Sequence, residues 1–256
     1  MITFTKQTAA VASAELHKLL RDPTELFSRA VQPILWLVVF GQVFSRVRDI
    51  PTGGIGYLAF LTPGILAQSV LFSAIFYGIA VIWERDLGIV HKLLVTPAPR
   101  SALVLGKAAA AGLRGVIQTV VVFLIALALG IELRWQAPAI LIVILAVMLG
   151  SAIFATFSLI IACIVKTRER FMGIGQVLTM PLFFASSAIY PLDLMPHWLQ
   201  AVARLNPLTY LVDALRGTMI AGGEAVHGLG TDFGVMLAVF VVFTAIAAKL
   251  YPELAR

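Results

Sequence analysis

Charge is scarce in this sequence. Asp, Glu, Lys and Arg make up 12% of its 256 residues, where a soluble domain carries roughly 25%. A surface so poor in charge cannot all face water. With 60% hydrophobic residues and a mean hydropathy of +0.97, the chain reads as an integral membrane protein. Cysteine is nearly absent: Cys163 stands alone, which excludes an intramolecular disulfide framework and a cysteine-based metal cluster. A phosphate-binding Walker A loop is missing as well. Gly106-Lys107 is followed by Ala108, and Ser101 stands where the first glycine belongs, so the chain is not expected to hydrolyse ATP.

Two further absences narrow the function. Every Asp and Glu falls at the end of an apolar run or in a loop, whereas an ion-coupled carrier usually binds its ion on mid-membrane carboxylates. An ion-coupled secondary transporter is therefore the alternative reading, with a membrane scaffold third. An enzyme would need a convergent acid–base pair, a nucleophile with its base, or a metal constellation. His17, His91, His197 and His227 fall in loops or interface segments without such company. Asp193 and His197 alone make too few ligands, so no catalytic residue and no metal site is expected.

Long uncharged runs are what the sequence does contain. Between charges lie 30–45, 50–83, 115–131, 135–165, 171–192 and 233–248, of 16, 34, 17, 31, 22 and 16 residues. A full span needs about 20 residues, and basic flanks such as Arg29, Arg46, Arg114 and Lys249 can extend the short runs by snorkelling. The expected fold is an all-α polytopic membrane protein, a single domain over 1–256. Its six transmembrane helices are placed at 30–47, 56–83, 108–131, 137–165, 171–190 and 232–250. Residues 1–29 hold Lys6, Glu15, Lys18, Arg21, Asp22, Glu25 and Arg29 among Val11, Leu16, Leu19, Leu20, Leu26 and Phe27. This is an amphipathic interfacial helix, not a cleaved signal.

Orientation follows from Lys and Arg. With the N-terminus inside, thirteen basic residues collect on the cytoplasmic side and five on the other. Both termini are thus expected in the cytoplasm. The net charge of +6 suits an anionic inner leaflet and does not call for nucleic acid. The same orientation makes ERDLGIVHKLLVTPAPR, residues 84–100, a cytoplasmic loop. Leu87, Val90 and Leu94 share a helical face with Leu93 beside them. Glu84 and Asp86 are expected to open this short helix, with Lys92 towards its end and Pro97 and Pro99 stopping it. On the opposite side, over 191–223, Pro196 opens one short helix and Asn206-Pro207 forms an N-cap and first-turn pair for a second. The pair is a helical hairpin too short to cross, expected to re-enter the membrane from outside.

Residues in this order resemble a known family. Glu84-Arg85-Asp86-x-Gly88, then Leu93-Leu94-x-Thr96-Pro97, then Gly106-Lys107 are similar to the E-R-x-x-G, L-L-x-T-P and G-K pattern of ABC-2 type transporter permeases. Lys18-x-x-Arg21-Asp22-Pro23 resembles that family's interfacial helix. Pro196-x-Trp198-Leu199, Asn206-Pro207-Leu208-Thr209-Tyr210 and Asp213-Ala214-Leu215-Arg216 resemble its extracellular re-entrant region. The nearest subgroup is the small six-helix permeases of drug export and nodulation-factor export. Val90-His91 departs from relatives that carry Thr or a second acidic residue there.

The resemblance implies a permease subunit of an ATP-binding cassette exporter in the cytoplasmic (inner) membrane. A separate ABC ATPase subunit binds ATP and Mg, and this chain binds no cofactor. Its other partners are a second copy of the permease or a close homologue, and membrane lipid. ATPase coupling falls to Glu84, Arg85, Asp86, Gly88, Lys92, Leu93, Leu94 and Pro97, in a coupling helix between the second and third spans. Lys18, Arg21 and Asp22 belong to the interfacial helix. In that family the second and fifth spans of two protomers face the transport path, which implicates Gln68, Phe72, Phe76, Gln176, Phe183 and Phe184. Aromatic and amide linings suit an amphipathic or lipid-like cargo such as a drug, lipid or glycolipid.

Overall fold

A computed structural model describes residues 2–21, 31–45, 52, 54–96, 98–165 and 167–255. Among them the chain is helical, with one isolated β-bridge between Leu133 and Ile220. The helices are α1 (Ile2–Arg21), α2 (Val31–Phe44), α3 (Tyr57–Asp86), α4 (Ile89–Val95), α5 (Arg100–Ala128), α6 (Ala137–Val165), α7 (Arg168–Phe184), α8 (His197–Leu205), α9 (Pro207–Met219) and α10 (Leu229–Leu250). The middle of α2, Leu35–Gly41, is wound as a π-helix. A 3-10 turn, Tyr251–Ala255, follows α10. Two ends can be named from the connections. The loop end carries residues 87–99, and the hairpin end carries 185–228.

Four described helices, α3, α5, α6 and the Leu229–Leu254 stretch containing α10, are long and apolar enough to cross a membrane. The apolar α2 is shorter, and α7 has 17 residues, a little under the roughly 20 that a span uses. Helix α5 starts at Arg100, ahead of the expected boundary at 108. Lys107 ends the uncharged run, yet a buried, paired lysine need not end a helix. Pro99, extended at φ −64° and ψ 140°, sets its N-cap.

Helix α3 is the centre of the bundle. Its apolar window is 72% buried inside the protein, against 11% for the window in α10. It packs on α6, α5, α7, α9 and α2. Small residues make this close approach possible. A Cβ on Gly64 would overlap the backbone of Ala188, and one on Gly78 would meet Phe171 and Ser158. Pro63, inside α3, leaves the helix one N–H short just where the 185–190 segment presses in. At Gly78 the Ser158 hydroxyl of α6 accepts from the Gly78 N–H at 2.9 Å and donates to the Ile75 carbonyl. Helix α1 lies along α5, where Gly106 fits under Val11 and the Thr8 carbonyl.

A hydrogen-bond junction holds the hairpin end together. The Asn206 amide donates to the carbonyls of Leu182 at 2.6 Å and Ala185 at 2.7 Å, and its oxygen accepts from Leu208 N–H at 3.0 Å. One side chain therefore closes the C-terminus of α7 and the N-terminus of α9 together. Thr209 and Tyr210 donate to the carbonyls of Ala203 and Arg204, each at 2.7 Å, and so finish α8. Arg134 donates to the Gly217 and Gly223 carbonyls at 2.9 and 3.1 Å.

The Gly64 contact is with backbone, which cannot rotate away. Gly64→Ala should therefore destabilise the protein by about 1–3 kcal/mol, read as a lower melting temperature in detergent. An unchanged melt would show that the segment at Ala188 is loosely held.

Candidate functional site

The loop end is built on a break in the chain. Helix α3 runs through Glu84, Arg85 and Asp86, so these residues close α3 and do not open the next helix, contrary to the sequence expectation. Gly88 causes the break: its φ of +73° is left-handed, a conformation that glycine adopts without strain. Helix α4 then turns away with Val90 fully buried and Leu93 and Leu94 half-buried against the core. His91, Lys92, Val95 and Thr96 are exposed, and Leu87, expected to share a helical face with Val90 and Leu94, lies in the turn before the helix with 66% of its surface exposed. Helix α4 rests on the C-terminal turn Tyr251–Ala255. Pro97 and Asp22 lie outside the described residues, as do the side chains of Lys18 and Arg21.

Behind this exposed turn lies a buried charge cluster. Lys107 Nζ sits 2.5 Å from Glu84 Oε2 and 3.3 Å from Glu15 Oε1. Arg114 Nη2 is 3.8 Å from Glu15 Oε2. Both cations lie over the Tyr77 ring, Lys107 at 5.5 Å and Arg114 at 4.9 Å. Glu84, Glu15 and Lys107 are all buried, so α1, α3 and α5 meet on two carboxylates and two cations that sum to zero. Arg114, expected to snorkel to the membrane interface, and Lys107 both lie against Glu15. A second pairing holds α7 to the same corner. Asp86 accepts from Arg168 at 2.5 and 3.2 Å and from Arg85 at 2.6 and 3.1 Å, and the Arg168 guanidinium stacks 3.5 Å over Trp83. Both charges there are about a third exposed, so solvent weakens this pair.

The residues assigned to the transport path do not form one surface. Gln68 and Phe183 are buried, Phe72 is half-buried, and Phe76, Gln176 and Phe184 are exposed. Phe183 and Phe184 belong with α2: Trp36 meets Phe183 edge-on at 5.6 Å, and Trp36, Phe40, Phe44 and Tyr57 form a ladder with ring centroids 4.6 to 6.0 Å apart. These rings border an apolar cavity of about 340 Å³ together with Leu61, Phe184, Ile189 and Tyr190. The sequence held a signal for it, since Trp36, Phe40 and Phe44 recur at four-residue spacing and so share one helix face.

At the hairpin end, Arg216 is buried with its guanidinium 3.8 Å over Phe60 and its Nη2 donating to the Ser187 carbonyl at 2.7 Å. Burial lowers this group to about 10, against the opposing pull of Asp213, so it stays charged at neutral pH. His227, expected to lack acidic company, lies with Nδ1 3.0 Å from Asp213 Oδ2.

Comparison with known proteins gives the chain a family. The family described as ABC-2 type transporter matches residues 6–220. The chain is 33% identical over 204 residues to a Cyanophora paradoxa protein named as transport permease ycf38, covering 78% of this chain and 69% of that one. It is 24% identical over 249 residues to the inner membrane transport permease YadH of Escherichia coli strain K12, covering 94% and 93%. It is 26% identical over 220 residues to DrrC of Mycobacterium tuberculosis, named for doxorubicin resistance as an ABC transporter permease, covering 86% and 79%.

Lys107→Met removes the cation between two buried carboxylates and should cost about 3–5 kcal/mol. The double variant Glu84→Gln/Lys107→Met should regain part of that loss in the same detergent melt. A single variant as stable as the parent would mean that water or lipid headgroups reach the cluster.

Proposed function

Since the chain belongs to the ABC-2 type transporter family, we propose that it is the permease subunit of an ATP-binding cassette exporter in the cytoplasmic membrane. In this reading α2, α3, α5, α6, α7 and α10 span the bilayer, and both termini lie in the cytoplasm with the loop end. The hairpin end faces outward, and two copies of the chain assemble with two separate ATPase subunits that hold ATP and Mg²⁺.

The observation that carries the reading is the Gly88 break. It sets a short, rigidly joined helix at the loop end with Leu87, His91, Lys92 and Val95 exposed. An apolar and basic knob of this kind fits a cleft in a partner. Glu84 lies behind the contact surface and not on it. A push on α4 reaches α3 through the chain and reaches α1 and α5 through Lys107. The path opened by that movement involves the aromatic cavity between α2, α3 and α7, whose apolar rings suit an amphipathic or lipid-like cargo. The doxorubicin-resistance name of DrrC supports cargo of that kind.

Lys92→Glu and Val95→Asp change only exposed positions, so stability should stay within about 0.5 kcal/mol. Co-purification of the ATPase and cargo-stimulated ATP hydrolysis should fall about tenfold or more, the loss expected of a central contact. Full coupling in both variants would remove α4 from the docking site.

Trp36→Ala and Phe184→Ala should change which cargoes stimulate ATP hydrolysis while leaving protein abundance unchanged. Orientation is checked in a Cys163→Ala background: an impermeant maleimide added to intact cells should label a cysteine at position 224 and not one at 91. The reverse labelling would invert the topology.

A further inference from the structure

The hairpin end holds a cluster that coupling and transport do not use. Asp213 on α9, His227 in the loop before α10, and Asp232 in the first turn of α10 place one ligand atom each within 4.8 Å of one another. Asp213 is organised: its Oδ1 accepts from Val226 N–H at 2.9 Å, and its Oδ2 accepts from His227 N–H at 2.7 Å and lies 3.0 Å from His227 Nδ1. Asp232 is not. It has no exposed surface, and neither carboxylate oxygen has a hydrogen-bond partner among the described residues. A carboxylate removed from water with no donor is costly and calls for a positive charge. Arg216 does not pair with it: its Nη2 donates to the Ser187 and Phe60 carbonyls and its guanidinium lies over the Phe60 ring.

We propose that Asp213, His227 and Asp232 form a binding site for a first-row divalent cation, Zn²⁺ or a cation of the same class, that ties the hairpin to α10. The donor set is one imidazole nitrogen and two carboxylate oxygens, which suits Zn²⁺ or Mn²⁺ and lacks the thiolates that select softer ions. The 3.0 Å separation of Asp213 Oδ2 and His227 Nδ1 is near the ligand–ligand edge that metal–ligand bonds of about 2.0–2.2 Å create. Cation binding at Nδ1 displaces the proton otherwise shared with Asp213, and that proton leaves to solvent. Asp213 Oδ2 keeps a second lone pair for the His227 N–H. Entry is available through a cavity of about 330 Å³ that Asp213 and His227 line, with Asp193, Glu224, Arg204 and Arg216 on its other walls. Three protein ligands leave further coordination positions for water. The cation fixes the loop at 226–228 between two helices and neutralises Asp232 in one step.

The full chain, purified through a tag without histidine and stripped with EDTA, is titrated with Zn²⁺. Bound metal is counted by mass spectrometry, and affinity and melting temperature are read on the same samples. The parent should bind a single Zn²⁺ per chain at the site and melt several degrees higher with saturating Zn²⁺, as ligand linkage requires. Asp232→Asn removes a ligand but no hydrogen bond, so it should fold; it and His227→Ala should weaken binding by about 100-fold or more and lose the Zn²⁺-dependent rise. Equal binding in parent and variants would overturn the proposal. So would a parent without stoichiometric Zn²⁺, or an Asp232→Asn protein that melts with the metal-free parent and leaves the Zn²⁺-dependent rise intact, which would mean that Asp232 is held as the neutral acid.

Discussion

The architecture depends on Lys107. An ammonium group moved out of water is tolerated only where carboxylates surround it closely enough to repay its lost hydration. Glu84 and Glu15 do so from two other helices, with Arg114 and Tyr77 completing the shell. This requirement fixes three things together. It places α1 against α5, it sets the rotation of α3 about its axis so that Glu84 points inward, and it brings the end of α3 level with the first turns of α5. Apolar packing between helices is permissive in lipid, because lipid tails are as apolar as leucine. A charged cluster tolerates no such slippage, since any rotation strands a charge.

The hairpin end meets the opposite difficulty. Two short helices and their connections leave many backbone groups outside a regular helix, and the buried ones among them need partners from elsewhere. Side chains with amide, hydroxyl and guanidinium groups take that role: Asn206 serves two helix ends, Thr209 and Tyr210 serve a third, and Arg134 and Arg216 collect loop carbonyls. Arg134 and Arg216 each donate twice to backbone, whereas at the loop end cations answer carboxylates.

Much of the scaffold could be read from the chain, and the reason is local. Helix α6, Ala137–Val165, fills the longest run between charges but one, and Asn206-Pro207 announces a helix start through its own chemistry. The family match was legible for the same reason, as contiguous motifs around Gly88. What could not be read are meetings across distance. Glu15 and Lys107 are 92 residues apart, and nothing local to Gly106-Lys107 reveals that its lysine points inward. The donor half of Asn206, directed at α7, was invisible although its capping half was plain. Trp36, Phe40 and Phe44 carry a periodic signal, but gaps between charges hold no information on aromatic spacing. His227 lies 14 residues from Asp213 and only a few from Asp232, yet a histidine in a loop gives no sign of facing two helices.

Helix α3 joins the two ends, and its contacts decide where the bundle can yield. Towards α6 the approach is backbone-close: Ser158 both donates to the Ile75 carbonyl and accepts from Gly78 N–H, so sliding α3 along α6 breaks two hydrogen bonds in a dry interface. Towards α5 a shift separates Glu84 from Lys107. Helix α2 makes no comparable demand, and α7 makes one only near its start, where Arg168 pairs with Asp86 and Phe171 packs at Gly78. Most of the α7 surface is exposed, only Leu37 and Gly41 are buried within the π-helical stretch of α2, and around the cavity their contact with α3 runs through rings and aliphatic side chains. The boundary of least resistance is therefore the aromatic cavity bordered by Trp36, Phe40, Tyr57 and Phe184. Under the proposed function, a force entering at α4 would move α3, α5 and α6 together and be relieved at that cavity, so the surface proposed to hold an apolar cargo would also be the one whose shape changes first.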